Sequence, residues 1–204
     1  MSKKLFSRYS LGAQALPNRV VMAPMNRNRA SDWHLAPTAM TARYYAQRAS
    51  AGLIIAEGTP VSPQARCCAR TPGIYSAAQI AGWQNVTRAV HREGGRIYLQ
   101  LWHVGRVGHC SLRADGSPPV GPSTVCLEND RVPILTGSRE PVLAPCDPPR
   151  ALTTGEVKAI VADFARAADN AMAAGFDGVE IHAANGYLFD QFRCPYLNDR
   201  RDEY

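Results

Sequence analysis

The feature that most constrains this chain is an alternation of short apolar runs with segments of helical periodicity. NRVVMAPM at residues 18–25, LIIAEGTPV at 53–61, RIYLQLWH at 96–103 and GVEIH at 178–182 each read as a buried strand. Runs of this kind, apolar on successive residues, suit parallel strands covered on both faces. Between them lie helices with their own punctuation. Pro37 fits a first helical position, with Met40, Tyr44 and Tyr45 forming an apolar stripe towards Ser50 and Gly52 as the stop. Ser76 and Gln79 have capping-box spacing ahead of a helix over 79–92, whose face carries Ile80, Trp83, Val86 and Val90. Thr153 and Glu156 repeat the box ahead of Val157, Ile160, Val161, Phe164, Ala168 and Met172, with Gly175 as the end. Residues 187–192 read as helical again.

Strand, helix, strand, helix, strand, helix, strand, helix is the order of βα units around a parallel sheet. A doubly wound dinucleotide-binding sheet needs a G-x-G-x-x-G turn after its first strand, and Pro24-Met25-Asn26-Arg27 stands there instead. The pattern therefore predicts a (β/α) barrel, whose active site lies beyond the C-terminal strand ends. One connection is out of proportion. Residues 104–150, rich in Pro, Gly and Ser, form an excursion far longer than ordinary loops, which marks it as functional or disordered.

Composition narrows the function. With 46% hydrophobic and 20% charged residues over 204, the chain is expected to form part or all of one globular domain, 1–204. No apolar run reaches membrane-spanning length, and the start lacks the apolar core of a signal peptide, so no membrane association and a cytoplasmic location are expected. The net charge of +6 is spread along the chain, with no nucleic-acid-binding motif beside it, so no nucleic-acid partner is expected. Six cysteines include no C-x-x-C pair; the neighbours Cys67 and Cys68 are expected to be badly placed to bridge each other, and Cys67 and Cys194 to be inert thiols. His103, or His109 with Cys110, lacks a partner pair at ligand spacing, and no metal is expected.

Polar residues collect at the predicted strand ends: Asn26 and Arg27, Glu57 and Gly58, Gln100, Trp102 and His103, then His182, Asn185 and Tyr187. Gln100, between Leu99 and Leu101, is a buried amide that must pair with backbone or with a ligand offering donor and acceptor edges. The H-A-A-N-G-Y constellation can present an imidazole and an amide to a carbonyl or nitro oxygen, and a phenol that delivers a proton. By spacing alone, the alternative stays open that Asn185 caps a helix, His182 sits satisfied in the core and Tyr187 only packs.

Taken together, NRVVMAPMNRNRA, YYAQRASAGLIIAEGTPVSPQ, GRIYLQLWHVGRVGH, PRALTTGEV, AGFDGVEIHAANGYLFDQF and NDRRDEY resemble the Old Yellow Enzyme family of flavin-dependent ene reductases. The resemblance covers nearly the whole chain. It implies a TIM barrel holding FMN, reduced by NADPH or NADH, that reduces a small activated alkene or nitro compound. By motif position it implies that Ala23, Pro24, Met25, Asn26 and Gly58 line the flavin and that Gln100 bonds its pyrimidine edge. It further implies that His182 and Asn185 bind the substrate oxygen and that Tyr187 is the proton donor. Asn26 stands where relatives usually carry threonine, and Cys67-Cys68 replaces a small, glycine-containing pair. A complete barrel takes about 250 residues, so 204 residues with four strands suggest an N-terminal half. Two readings follow: a fragment of an FMN-dependent reductase, or a non-catalytic half barrel that binds no flavin and self-associates through its open edges.

Overall fold

A computed structural model describes residues 3–137 and 140–204. In chain order the strands and helices are β1 (Tyr9–Leu11), β2 (Gln14–Leu16), β3 (Val21–Met22), α1 (Ala39–Ala46), β4 (Leu53–Pro60), α2 (Ala77–Arg92) and β5 (Ile97–Trp102). There follow β6 (Val120–Gly121), β7 (Arg131–Ile134), β8 (Val142–Pro145), β9 (Arg150–Ala151), α3 (Thr154–Ala173), β10 (Gly178–Ile181) and α4 (Leu188–Arg193). The central sheet runs β10-β5-β4-β3 with every pair parallel. Each of its neighbours along the chain is joined by a helical crossover, as the alternation predicts.

Capping chemistry sets the long helices. Ser76 accepts from the Gln79 N–H while the Gln79 side chain reaches back to the Ser76 backbone, and Thr153 with Glu156 does the same for α3. Each box satisfies N–H groups that the first turn would otherwise leave unpaired, worth about 1 kcal/mol apiece. The helices and the sheet share one core, in which Trp83, Val86 and Val90 of α2 meet Ile54, Ile97 and Leu99 of the strands, all fully buried. Burying side chains of this size contributes roughly 1.5–3 kcal/mol each. The indole N–H of Trp83 donates to Gly73 O at 2.9 Å, so its burial leaves no polar atom unpaired.

Several expectations are corrected. The first strand shrinks to Val21–Met22, because it is a sheet edge: Val21 is 48% exposed, and Pro24 has no N–H to pair. Helix α1 begins after the cap Thr38 and ends at Ala46, and Met40 faces outward at 65% exposure. On α3 the buried stripe is Val157, Ile160, Phe164, Ala167 and Ala171, while Val161 and Met172 point to solvent. Alanines a turn apart, not the larger side chains beside them, let α3 lie against the sheet. The excursion over 104–150 is partly structured: β7 and β8 form an antiparallel hairpin, and β6 pairs in parallel with β9. The β1–β2 hairpin, which the sequence reading did not foresee, precedes the sheet.

Candidate active site

The site grows from the C-terminal ends of β4, β5 and β10. Register between β4 and β5 shifts between Ala56 and Thr59, so that one extra residue bulges from β4 at Glu57–Gly58. Bulges re-aim side chains next to functional sites. Here Gly58 leaves room for its neighbours, since a Cβ would stand 2.8 Å from the Trp102 ring and 3.1 Å from Asn26 Oδ1. Glu57 is 1% exposed; it accepts the Arg27 N–H on Oε2 at 3.0 Å and the Tyr45 hydroxyl on Oε1 at 3.4 Å. Burial pushes its carboxyl up to about 7, against the pull of those hydrogen bonds.

The turn after β10 carries the H-A-A-N-G-Y residues and is held from several sides. Asn185 and Gly186 both take left-handed backbone, φ +60° and +73°, which asparagine and glycine tolerate. Asp190 accepts the Gly186 N–H at 2.8 Å, and the buried Gln191 amide donates to Gly186 O at 2.7 Å and Val104 O at 3.0 Å. The Arg106 N–H completes that amide, donating to Gln191 Oε1 at 3.1 Å. Gly105 must be glycine, as a Cβ would lie 2.1 Å from the same oxygen. Tyr187 is the N-cap residue of α4, and the Leu188 N–H donates to His103 O at 3.1 Å.

Three rings result. His182 stacks on Trp102 with centroids 6.0 Å apart, and Tyr187 sets its edge against both, 4.9 Å from each. They border a cavity of about 540 Å³ that is also lined by Pro24, Asn26, Asn28, Gln100, Glu180 and Asn185. Burial pushes the Tyr187 hydroxyl up to about 12 and holds His182 below the usual imidazole range. At neutral pH both are therefore neutral hydrogen-bond donors. Gln100 donates from Nε2 to Glu180 Oε1 at 2.6 Å, a partner that the sequence reading missed.

Of the predicted residues, Pro24, Asn26, Gln100, His182, Asn185 and Tyr187 meet in this cavity. Ala23, Met25 and Gly58 do not line it: Met25 borders a separate groove with Met22 and Arg48, and Gly58 lies under Trp102. Asn28, Cys68 and Glu180 were missed, since only register and loop path bring them here. Cys67 and Cys68, expected to be badly placed to bridge, are free thiols that face each other in hydrogen-bond contact. His109 and Cys110 are joined by Asp147, with ligand atoms all within 4.8 Å. Those atoms serve the turn itself, Asp147 accepting the Cys110 N–H at 2.6 Å and His109 the Ser111 N–H at 3.2 Å.

Parallel βα units with a polar cavity at the C-terminal strand ends define a barrel-type enzyme scaffold. The chain belongs to the NADH:flavin oxidoreductase / NADH oxidase family, whose pattern matches residues 4–204. It is 47% identical to the chanoclavine-I aldehyde reductase fgaOx3 of Penicillium roqueforti over 98% of its length, and 42% identical to 12-oxophytodienoate reductase 1 of Oryza sativa subsp. japonica over the same share. Those alignments cover 51% and 50% of the relatives, so the chain spans about half their length. Morphinone reductase in complex with tetrahydroNAD superposes with a TM-score of 0.95 at 48% identity, covering 100% of this chain and 55% of that one. The old yellow enzyme homologue from Zymomonas mobilis gives 0.86 at 44%, covering 98% and 54%. The architecture is thus that of a TIM barrel over about half its length, and the family's cofactors are FMN and a nicotinamide dinucleotide.

The cavity fits a flavin on its own chemistry. Asn26, Asn28 and Gln100 offer amides with donor and acceptor edges, and buried Asn28 Oδ1 and Trp102 Nε1 have no partner among the described residues. Such atoms suit a heteroaromatic ligand with polar edges.

Proposed function

We propose that this chain contributes the substrate-binding and proton-donating half of an FMN-dependent reductase acting on activated alkenes, enones and maleimides among them, or on nitro compounds. The observation that carries the reading is the meeting of Tyr187, His182, Asn185 and Gln100 at one cavity. FMN, once reduced by NADH or NADPH, supplies the hydride. Asn26, Pro24 and Gln100 are read as its contacts, with the backbone at Ala23, Met25 and Gly58 shaping the loop and bulge around them. Because Gln100 Nε2 is engaged by Glu180, its Oε1 is the atom offered to a ligand N–H.

His182 and Asn185 donate to the carbonyl or nitro oxygen of the substrate. That polarisation makes the β-carbon electrophilic and stabilises the negative charge that develops on the oxygen. Tyr187 Oη keeps its proton until the α-carbon becomes basic, as its raised pKa requires, and then gives it up. The reading takes the protein to be cytoplasmic, which suits six unbridged cysteines. No helix among the described residues is long and apolar enough to cross a membrane.

In flavin-loaded protein, Tyr187→Phe is expected to slow reduction of a cyclic enone about 100-fold while reduction of the flavin by nicotinamide changes little. Equal loss in both half-reactions, followed by stopped-flow absorbance, refutes the proton-donor role. Replacing His182 and Asn185 together by alanine is expected to abolish binding of phenols that mimic the substrate oxygen. Unchanged phenol affinity takes both residues out of the site.

A further inference from the structure

We propose that Cys67 and Cys68 form a redox-active vicinal dithiol in the cavity wall, which small disulfides convert to a reversible bond between the two neighbours. The two thiols face each other in hydrogen-bond contact, and so need little movement to bond. The segment that carries them is pinned on both sides. Arg66 donates to Leu112 O at 2.7 Å, the Ala69 N–H to Pro133 O at 2.9 Å, and Arg70 pairs with Asp32 at 2.6 Å. The pairing is therefore built into the backbone path.

The two thiols are unequal in access. Cys68 opens onto the cavity it shares with Tyr187, whereas Cys67 is 3% exposed behind it, in an apolar cluster with Trp102 and Val104. The Cys67 thiol donating to Cys68 holds the Cys68 thiol below its ordinary range, helped by the Arg66 guanidinium and opposed by burial. The same hydrogen bond, with burial, pushes Cys67 well up. Because only Cys68 opens onto the cavity, it is the attacking group once deprotonated, and the buried Cys67 is the resolving thiol.

With oxidised glutathione the steps balance. Cys68 thiolate attacks one glutathione sulfur, forming a mixed disulfide and releasing one glutathione thiolate. Cys67, losing its proton to that thiolate, then attacks Cys68 Sγ and expels the second glutathione. Two protein thiols are oxidised to one disulfide, and one glutathione disulfide is reduced to two thiols. Adjacent Cα atoms lie about 3.8 Å apart, closer than in most bridged pairs, so the bond is easily reduced and suits a switch rather than a staple.

The test uses the reduced 204-residue chain, treated with oxidised glutathione, quenched with iodoacetamide and digested with trypsin, which cuts after Arg66 and Arg70. The expected fragment, Cys-Cys-Ala-Arg, is unalkylated and two hydrogens (about 2 Da) lighter than the dithiol, and dithiothreitol restores it. Cys146→Ser is expected to leave this product in place, and Cys68→Ser to abolish it. Recovery of the fragment doubly alkylated, stably glutathionylated or cross-linked to Cys146 overturns the proposal, and the unmutated chain alone decides among these.

Discussion

Glu57 is a carboxyl that the fold keeps at the edge of ionisation, and its energetics belong to a single residue. Its folded pKa of about 7 lies above the ordinary carboxylate value, so the folded protein binds the proton more tightly than the unfolded chain. Stability from this group is complete below the unfolded pKa and declines as pH rises towards about 7, by on the order of 3 kcal/mol. Glu57→Gln is expected to flatten that decline in urea denaturation series between about pH 4.5 and 7. A decline of unchanged slope in the variant rules out Glu57 as its source. The sequence marked Glu57 as polar at a strand end, but its partners Tyr45 and the Arg27 N–H come from α1 and the loop after β3. Periodicity cannot show such a convergence.

Among elements, the turn between β10 and α4 is the one that the site depends on. Its hydrogen bonds run mainly through one side chain, the Gln191 amide, which ties Gly186 to Val104 and Arg106. Gln191→Ala leaves two carbonyls and one N–H without that partner and opens a space beside Gly105. A loss of about 2–4 kcal/mol is expected, measured by denaturant unfolding. Under 1 kcal/mol would mean that water or a backbone shift replaces the amide. The capping boxes offer a contrast: Ser76→Ala removes one exchangeable cap at a helix start and is expected to cost only about 1 kcal/mol. Those boxes were readable because a box is local, three residues apart. The Gln191 contacts, 85 and 87 positions away, were not.

For the whole molecule, the sheet's openness matters most. β3 and β10 are its two edges, and Val21, Met25 and Ile181 near them are 48–50% exposed. Unpaired strand edges flanked by apolar side chains invite pairing with another copy. The isolated chain is expected to self-associate, with a sedimentation coefficient that falls over a roughly 50-fold dilution through the micromolar range. A constant monomeric value would falsify this. Adding FMN in the same experiment separates the two readings of the chain: flavin co-sedimenting with protein supports a cofactor site in this half, and flavin left behind favours the non-catalytic half barrel.

The sequence by itself determined the order of βα units, the starts of α2 and α3, and the residue types at the strand ends. Each of these depends on spacings of a few residues or on the apolar run of one strand. Only the tertiary structure decided that Val21–Met22 is a brief edge, that Ala167 and Ala171 face inward where Val161 and Met172 do not, and that Met25 turns away from the cavity. It also decided the pairing of Gln100 with Glu180 and of Cys67 with Cys68. In each case the outcome rests on strand register, a one-residue bulge or the path of a pinned loop, and all three are set by contacts between distant parts of the chain rather than by local pattern.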